Sequence, residues 1–164
     1  MKVFLIAAIS ADGFIARVTD ELADWTSKED KKLFVELTKR AGVMVMGRTT
    51  FETIGRALPG RKTIVYTHQS LNVPGVEVTD ETPANLVHRL HHEGTQELAI
   101  CGGSAIYTQF MAAGVVDELY LTVEPTLFGT GVPLFADALN VELQLLDTKL
   151  LNDNVTLLHY EVQK

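Results

Sequence analysis

Met46-Gly47-Arg48-Thr49-Thr50-Phe51-Glu52-Thr53-Ile54-Gly55-Arg56-Ala57-Leu58-Pro59-Gly60-Arg61-Lys62 says more about fold and chemistry than any other stretch of this 164-residue chain. Residues 43–46, Val-Met-Val-Met, form a short continuous apolar run of the kind that becomes a buried strand. Gly47-Arg48-Thr49 then reads as the tight turn that feeds a short helix. A helix start leaves amide hydrogens unpaired and presents the positive end of the helix dipole, which suits a phosphate, and Arg48 adds a fixed positive charge. For these three residues alone, a surface turn with a solvated arginine is an equally good reading.

Outward from this segment, apolar runs alternate with amphipathic ones over most of the chain. Strands are expected at residues 3–8, 43–46, 63–66, 97–101 and 118–123. Helices are expected at residues 27–41, where Leu33, Phe34, Leu37 and Ala41 draw one face, and at residues 82–92, with Thr82 as N-cap and Pro83 in the first helical position. A further helix over residues 104–113 is stopped by Gly114. This alternation predicts an α/β fold with a largely parallel sheet. Residues 143–149 and 155–162, linked by residues 150–154, are expected to close it as an antiparallel hairpin.

Length and a hydrophobic content of 46% fit a single domain, residues 1–164, with a sizeable core. No apolar run reaches the roughly 18 residues of a membrane span, and residues 1–8 are too soon interrupted for a signal peptide. The single cysteine, Cys101, rules out an intrachain disulfide and fits a cytoplasmic setting. A net charge of −7 argues against nucleic acid as the main partner. His68, His88, His91 and His92 lack metal-ligand spacing, and neither a Gly-x-Ser-x-Gly elbow nor a Gly-x-Gly-x-x-Gly fingerprint is present.

Asp30 has two readings. Ser27-Lys28-Glu29-Asp30 has the form of a capping box, which by itself would account for an acid here. Yet Asp30 shares the helix face of Leu33, Phe34 and Leu37, and a carboxylate turned toward apolar neighbours needs a partner. Gly102-Gly103, between a strand and a helix, would let a backbone approach a ligand closely, or would form an ordinary tight turn. Cys101 reads equally well as a small buried hydrophobe, Tyr107 as a core aromatic, and Thr122 as a strand former.

In order along the chain, these segments resemble the dihydrofolate reductases. Residues 46–62 follow the family pattern apolar-Met-Gly-Arg-x-Thr-aromatic-Glu-Ser-Ile-Gly-Arg-x-Leu-Pro-Gly-Arg-Lys almost without a break. Trp25, Asp30 and Phe34 reproduce its Trp-x4-Asp-x3-Phe spacing, and Gly102-Gly103 with Tyr107, then Tyr120-Leu121-Thr122, complete it. The resemblance implies a dihydrofolate reductase-like fold, NADPH as cofactor, and hydride delivery to C6 of a pterin with protonation at N5. It implies Asp30, Trp25 and Thr122 as the catalytic group. Cofactor contacts are implied for Ala8, Ile15, Gly47, Arg48, Thr49 and Thr50, for Thr67 and His68 near the adenosine 2′-phosphate, and for Gly102, Gly103, Ser104, Ala105, Ile106 and Tyr107. Substrate contacts are implied for Ile6, Ala7, Asp30, Phe34, Ile54, Cys101 and Thr122, with Arg61 gripping the glutamate tail of a folate. The expected partner is thus a small pterin or folate, with no metal, nucleic acid or membrane, in a monomer or homodimer.

The chain departs from the family at Ala23-Asp24-Trp25, where an apolar residue and a proline usually precede the tryptophan, at Lys31 in place of an apolar residue, and at Ala105 in place of a basic one. Residues 10–16, 116–125 and 129–135 instead look like the reductase domain of riboflavin biosynthesis. A stand-alone pyrimidine reductase and a non-catalytic nucleotide-binding module are therefore the rival expectations.

Overall fold

A computed structural model describes residues 1–164. The first strand, β1 (Lys2–Ile9), is followed by a short β2 (Phe14–Ala16) and the helix α1 (Lys28–Ala41). Next come β3 (Val43–Gly47), α2 (Arg48–Ile54), β4 (Lys62–Tyr66), β5 (Val76–Thr79), α3 (Pro83–His92), β6 (Glu97–Ile100) and α4 (Ser104–Ala112). The chain ends with β7 (Glu118–Val123), β8 (Val132–Pro133), β9 (Leu143–Asn152) and β10 (Val155–Val162). Eight strands form one sheet in the order β5-β4-β3-β6-β1-β7-β10-β9, parallel from β5 to β7 and antiparallel for the last two. The expected mostly parallel sheet with a closing hairpin is therefore present. No helix is long and apolar enough to cross a membrane.

Core formation follows from strands that are apolar on both faces. Val3, Phe4, Leu5 and Ile6 of β1 and Met44, Val45 and Met46 of β3 are all buried, because helices cover both sides of the sheet. On one side Val3, Leu5, Val45 and Ile100 pack with Leu86 and Leu90 of α3 and Phe110 of α4. On the other, Phe4, Ile6, Met44 and Met46 pack with Leu37 and Ala41 of α1 and Phe51 of α2.

Three strands were not expected. β2 and β8 pair only with each other over three and two residues, too short for a period to show, and β5 is a four-residue edge strand after a Pro74-Gly75 turn. The expected linker at residues 150–154 is also corrected: β9 runs on to Asn152, and only Asp153-Asn154 turn. Asn152 makes that possible, since its side-chain oxygen accepts the Asn154 N–H at 2.8 Å and so closes a tight local turn.

Candidate active site

The carboxyl ends of β1, β3 and β6 open into a cleft of about 950 Å³, the place where ligands bind in open α/β sheets. Its two halves differ chemically.

One half is made by two helix starts. α1 and α3 carry side-chain N-caps: Ser27 accepts the Asp30 N–H and Thr82 the Asn85 N–H. α2 and α4 begin at Gly47 and Gly103, which have none, and both open on the cleft. Their first-turn amides are thus left for a ligand. The glycines also let the two starts meet. The Gly47 N–H donates to the Gly102 carbonyl at 2.8 Å, and a Cβ on Gly47 would lie 3.0 Å from the Ile106 side chain. Gly102 has φ +111 and is joined to Gly103 by a cis peptide. Beside it, the buried Tyr107 hydroxyl donates to the Ile6 carbonyl at 2.7 Å, which ties α4 to β1.

The other half holds Asp30, 8% exposed at the start of α1. Of the expected capping box only half forms. Ser27 Oγ accepts the Asp30 N–H at 3.1 Å, but the Ser27 N–H is taken by Glu124 Oε1 at 2.9 Å, and the same oxygen accepts Ser27 Oγ–H at 2.8 Å. Glu124, itself buried, thereby does the work the box would assign to Asp30 and leaves the Asp30 carboxyl free for the cleft. Burial pushes that carboxyl above the usual aspartate value of 3.8; the nearby Thr122 hydroxyl opposes the rise, and the Glu124 carboxylate adds to it. Thr122 Oγ1, outside the cleft lining, is buried and makes no hydrogen bond of ordinary geometry, so its pull on the Asp30 carboxyl is a weak one. Trp25 Nε1, Tyr66 OH and Ser104 Oγ, all from cleft-lining residues, are likewise buried and unpaired. Buried polar atoms left unpaired along a cleft are groups that a bound molecule could satisfy.

Substituting Glu124→Gln keeps an oxygen for Ser27 but removes the charge facing Asp30. Following the Asp30 carboxyl by NMR, its midpoint is expected above 3.8 in the parent and lower in Glu124→Gln. An unchanged midpoint would show that burial alone sets it.

Most of the expected residues meet here. Ile6, Ala7, Ala8, Ile15, Trp25, Phe34, Ile54 and Cys101 line the cleft with Gly47 to Thr50 and Gly102 to Tyr107. Arg61 stands outside the lining, donating to Thr38 Oγ1 and to the Pro59 carbonyl at 2.9 Å each, and it forms no ion pair. Thr67 and His68 are not brought to the cleft: the Thr67 hydroxyl accepts the Gln69 N–H, and His68 is exposed, 3.9 Å from Asp80. Arg48 reaches Glu52 at 2.8 Å and also Gln69. Lys31 donates to the Thr26 carbonyl at 2.8 Å and pins the loop ahead of α1. Burial raises the Cys101 thiol well above its usual range, as expected of a packed core residue. Sequence reasoning missed Glu124 and Tyr66; the only local hint was an acid directly before Pro125 at the end of an apolar strand.

A mostly parallel sheet with open helix starts and a buried acid at its carboxyl edge places the chain among oxidoreductases of the dihydrofolate reductase-like class. The chain belongs to the dihydrofolate reductase family, whose model matches residues 2–134. It is 37% identical to dihydrofolate reductase type 3 of Salmonella typhimurium over 123 residues, covering 74% of this chain and 71% of that one. It is 29% identical to the uncharacterised Bacillus subtilis protein YwjB over 97% of both. Among solved structures, a dihydrofolate reductase from Enterococcus faecalis in complex with NADP(H) superposes with a TM-score of 0.77 at 25% identity, covering 99% of this chain and 97% of that one. A proposed riboflavin biosynthesis protein of Shewanella sp. PV-4 superposes with a TM-score of 0.86 at 24% identity over the whole of both chains.

Proposed function

We propose that the chain, as one domain, catalyses NADPH-dependent reduction of 7,8-dihydrofolate to tetrahydrofolate. The observation that carries this reading is Asp30, freed from capping by Glu124 and buried at the cleft. In this role its carboxylate holds the amino-pyrimidine edge of the pterin and favours positive charge developing near N5, where solvent supplies the proton. Phe34 and Ile54 flank the aminobenzoyl ring, and Arg61, with no carboxylate of its own, takes the α-carboxylate of the glutamate.

NADPH fits the other half. The uncapped starts of α2 and α4, with Thr49, Thr50 and the unpaired Ser104 hydroxyl, would hold its phosphates, and Arg48 would meet the 2′-phosphate. When bound, this cofactor supplies the hydride. Because Arg48 must give up Glu52 and Gln69, and Ala105 adds no charge, its preference is modest. Arg48→Ala is expected to weaken NADPH by about tenfold and NADH much less, since charge-assisted bonds contribute roughly 1.5–3 kcal/mol. Equal loss of both would show that Arg48 contacts something else.

A riboflavin-type pyrimidine reductase is the second reading, favoured by the full-length likeness to the Shewanella structure and by residues 129–135. The deciding assay follows NADPH absorbance with dihydrofolate and, separately, with the phosphorylated ribosylaminopyrimidine. Decay with dihydrofolate supports the proposal, and decay with only the pyrimidine replaces it. No decay with either points to a binding module.

A further inference from the structure

The strand β9 is an edge of the main sheet, and residues 143–150 are all exposed. Leu145 is 50% and Leu150 69% exposed, an unusual surface for a strand edge whose amides could pair with another chain. Read about Thr148, this strand is nearly its own reverse: Gln144-Leu145-Leu146-Asp147-Thr148-Lys149-Leu150-Leu151-Asn152. We propose that β9 pairs antiparallel with β9 of a second copy of this chain, about a two-fold axis through Thr148, so that the two sheets become one.

The register follows from side-chain directions. In an antiparallel two-fold pair that continues a sheet, opposed residues point to the same face, so the axis must pass through a residue. An axis at Asp147 sets two aspartates face to face, and one at Lys149 sets two lysines. At Thr148, Asp147 of each copy meets Lys149 of the other, and, counted along the ladder, Leu145 meets Leu150 and Gln144 meets Asn152. Opposite charges directly across a strand pair stabilise it and like charges oppose it. Neither Asp147 nor Lys149 has an ion-pair partner within its own chain. Asp147 Oδ1 instead accepts the neighbouring Thr148 N–H at 2.9 Å, a local bond that a second strand would replace. The β9–β10 ladder skips Leu146 on one side of Thr148 and Leu151 on the other, so the count outward from Thr148 through these pairs is the same in both directions.

Sedimentation velocity on the full chain, from sub-micromolar to tens of micromolar, tests this. The parent is expected to dimerise. Asp147→Lys and Lys149→Asp, each of which sets like charges across the axis, should weaken the dimer by about tenfold or more, and the double variant Asp147→Lys/Lys149→Asp should restore it. These side chains are exposed, so at concentrations where every variant is monomeric the melting temperatures should stay close to the parent's. A monomeric parent, or single variants that dimerise as the parent does, would overturn the proposal. So would a dimer broken by Leu145→Arg yet indifferent to both charge reversals, because that pattern belongs to face-to-face stacking.

Discussion

Asp30→Asn is expected to fold and to lose about 100-fold or more of its turnover with dihydrofolate, because a neutral amide cannot favour positive charge on the pterin. Activity should partly return at low pH, where the substrate takes its proton from solvent. Stability should move the other way. The folded state raises the Asp30 pKa above its unfolded value, so it binds the extra proton more readily and loses stability as pH climbs from 3.8 through the folded value. Above the folded value that loss is complete, and there Asp30→Asn, which carries no charge to bury, should melt higher than the parent. Below pH 4 its advantage should fade. Turnover and melting temperature measured against pH check both halves. A variant that works normally, or whose activity falls only as it unfolds, would return Asp30 to a purely structural role.

Arg61→Ala should raise the KM for dihydrofolate by on the order of 10- to 150-fold, the worth of a charge-assisted bidentate pair of roughly 1.5–3 kcal/mol. A dihydropterin without the glutamate tail should be nearly indifferent. The comparison matters because Arg61 also bonds Thr38, and loss of that bond would harm both substrates alike. If neither substrate is affected, folate is the wrong substrate and the riboflavin-type reading gains.

What was legible in the sequence was local. The run at residues 43–46, the Gly47 turn and the Thr82-Pro83 start announce themselves through neighbours a few positions apart, and the structure has them at nearly those bounds; the hairpin is there too, with a tighter turn than expected. What was not legible depended on distant partners. Whether Asp30 caps its helix or faces the cleft could not be decided from residues 27–37, since the answer lies with Glu124, 97 positions from Ser27. Likewise β2 and β8 exist only because residues far apart meet at Gly131, where a Cβ would fall 2.4 Å from the Ala16 carbonyl oxygen. Thr67 and His68 follow β4 directly in sequence, yet neither lines the cleft: the Thr67 hydroxyl accepts the Gln69 N–H and His68 stands exposed near Asp80.

The unequal capping of the four helices also divides the molecule's resistance to opening. The first turns of α1 and α3 are closed by their own serine and threonine, each a contribution of about 1 kcal/mol that the chain carries at all times. The first turns of α2 and α4 have no such reserve and rely on whatever meets their amides. If the proposed cofactor is what meets them, part of the protein's rigidity comes from outside the chain, and binding and local loosening share the same few backbone groups.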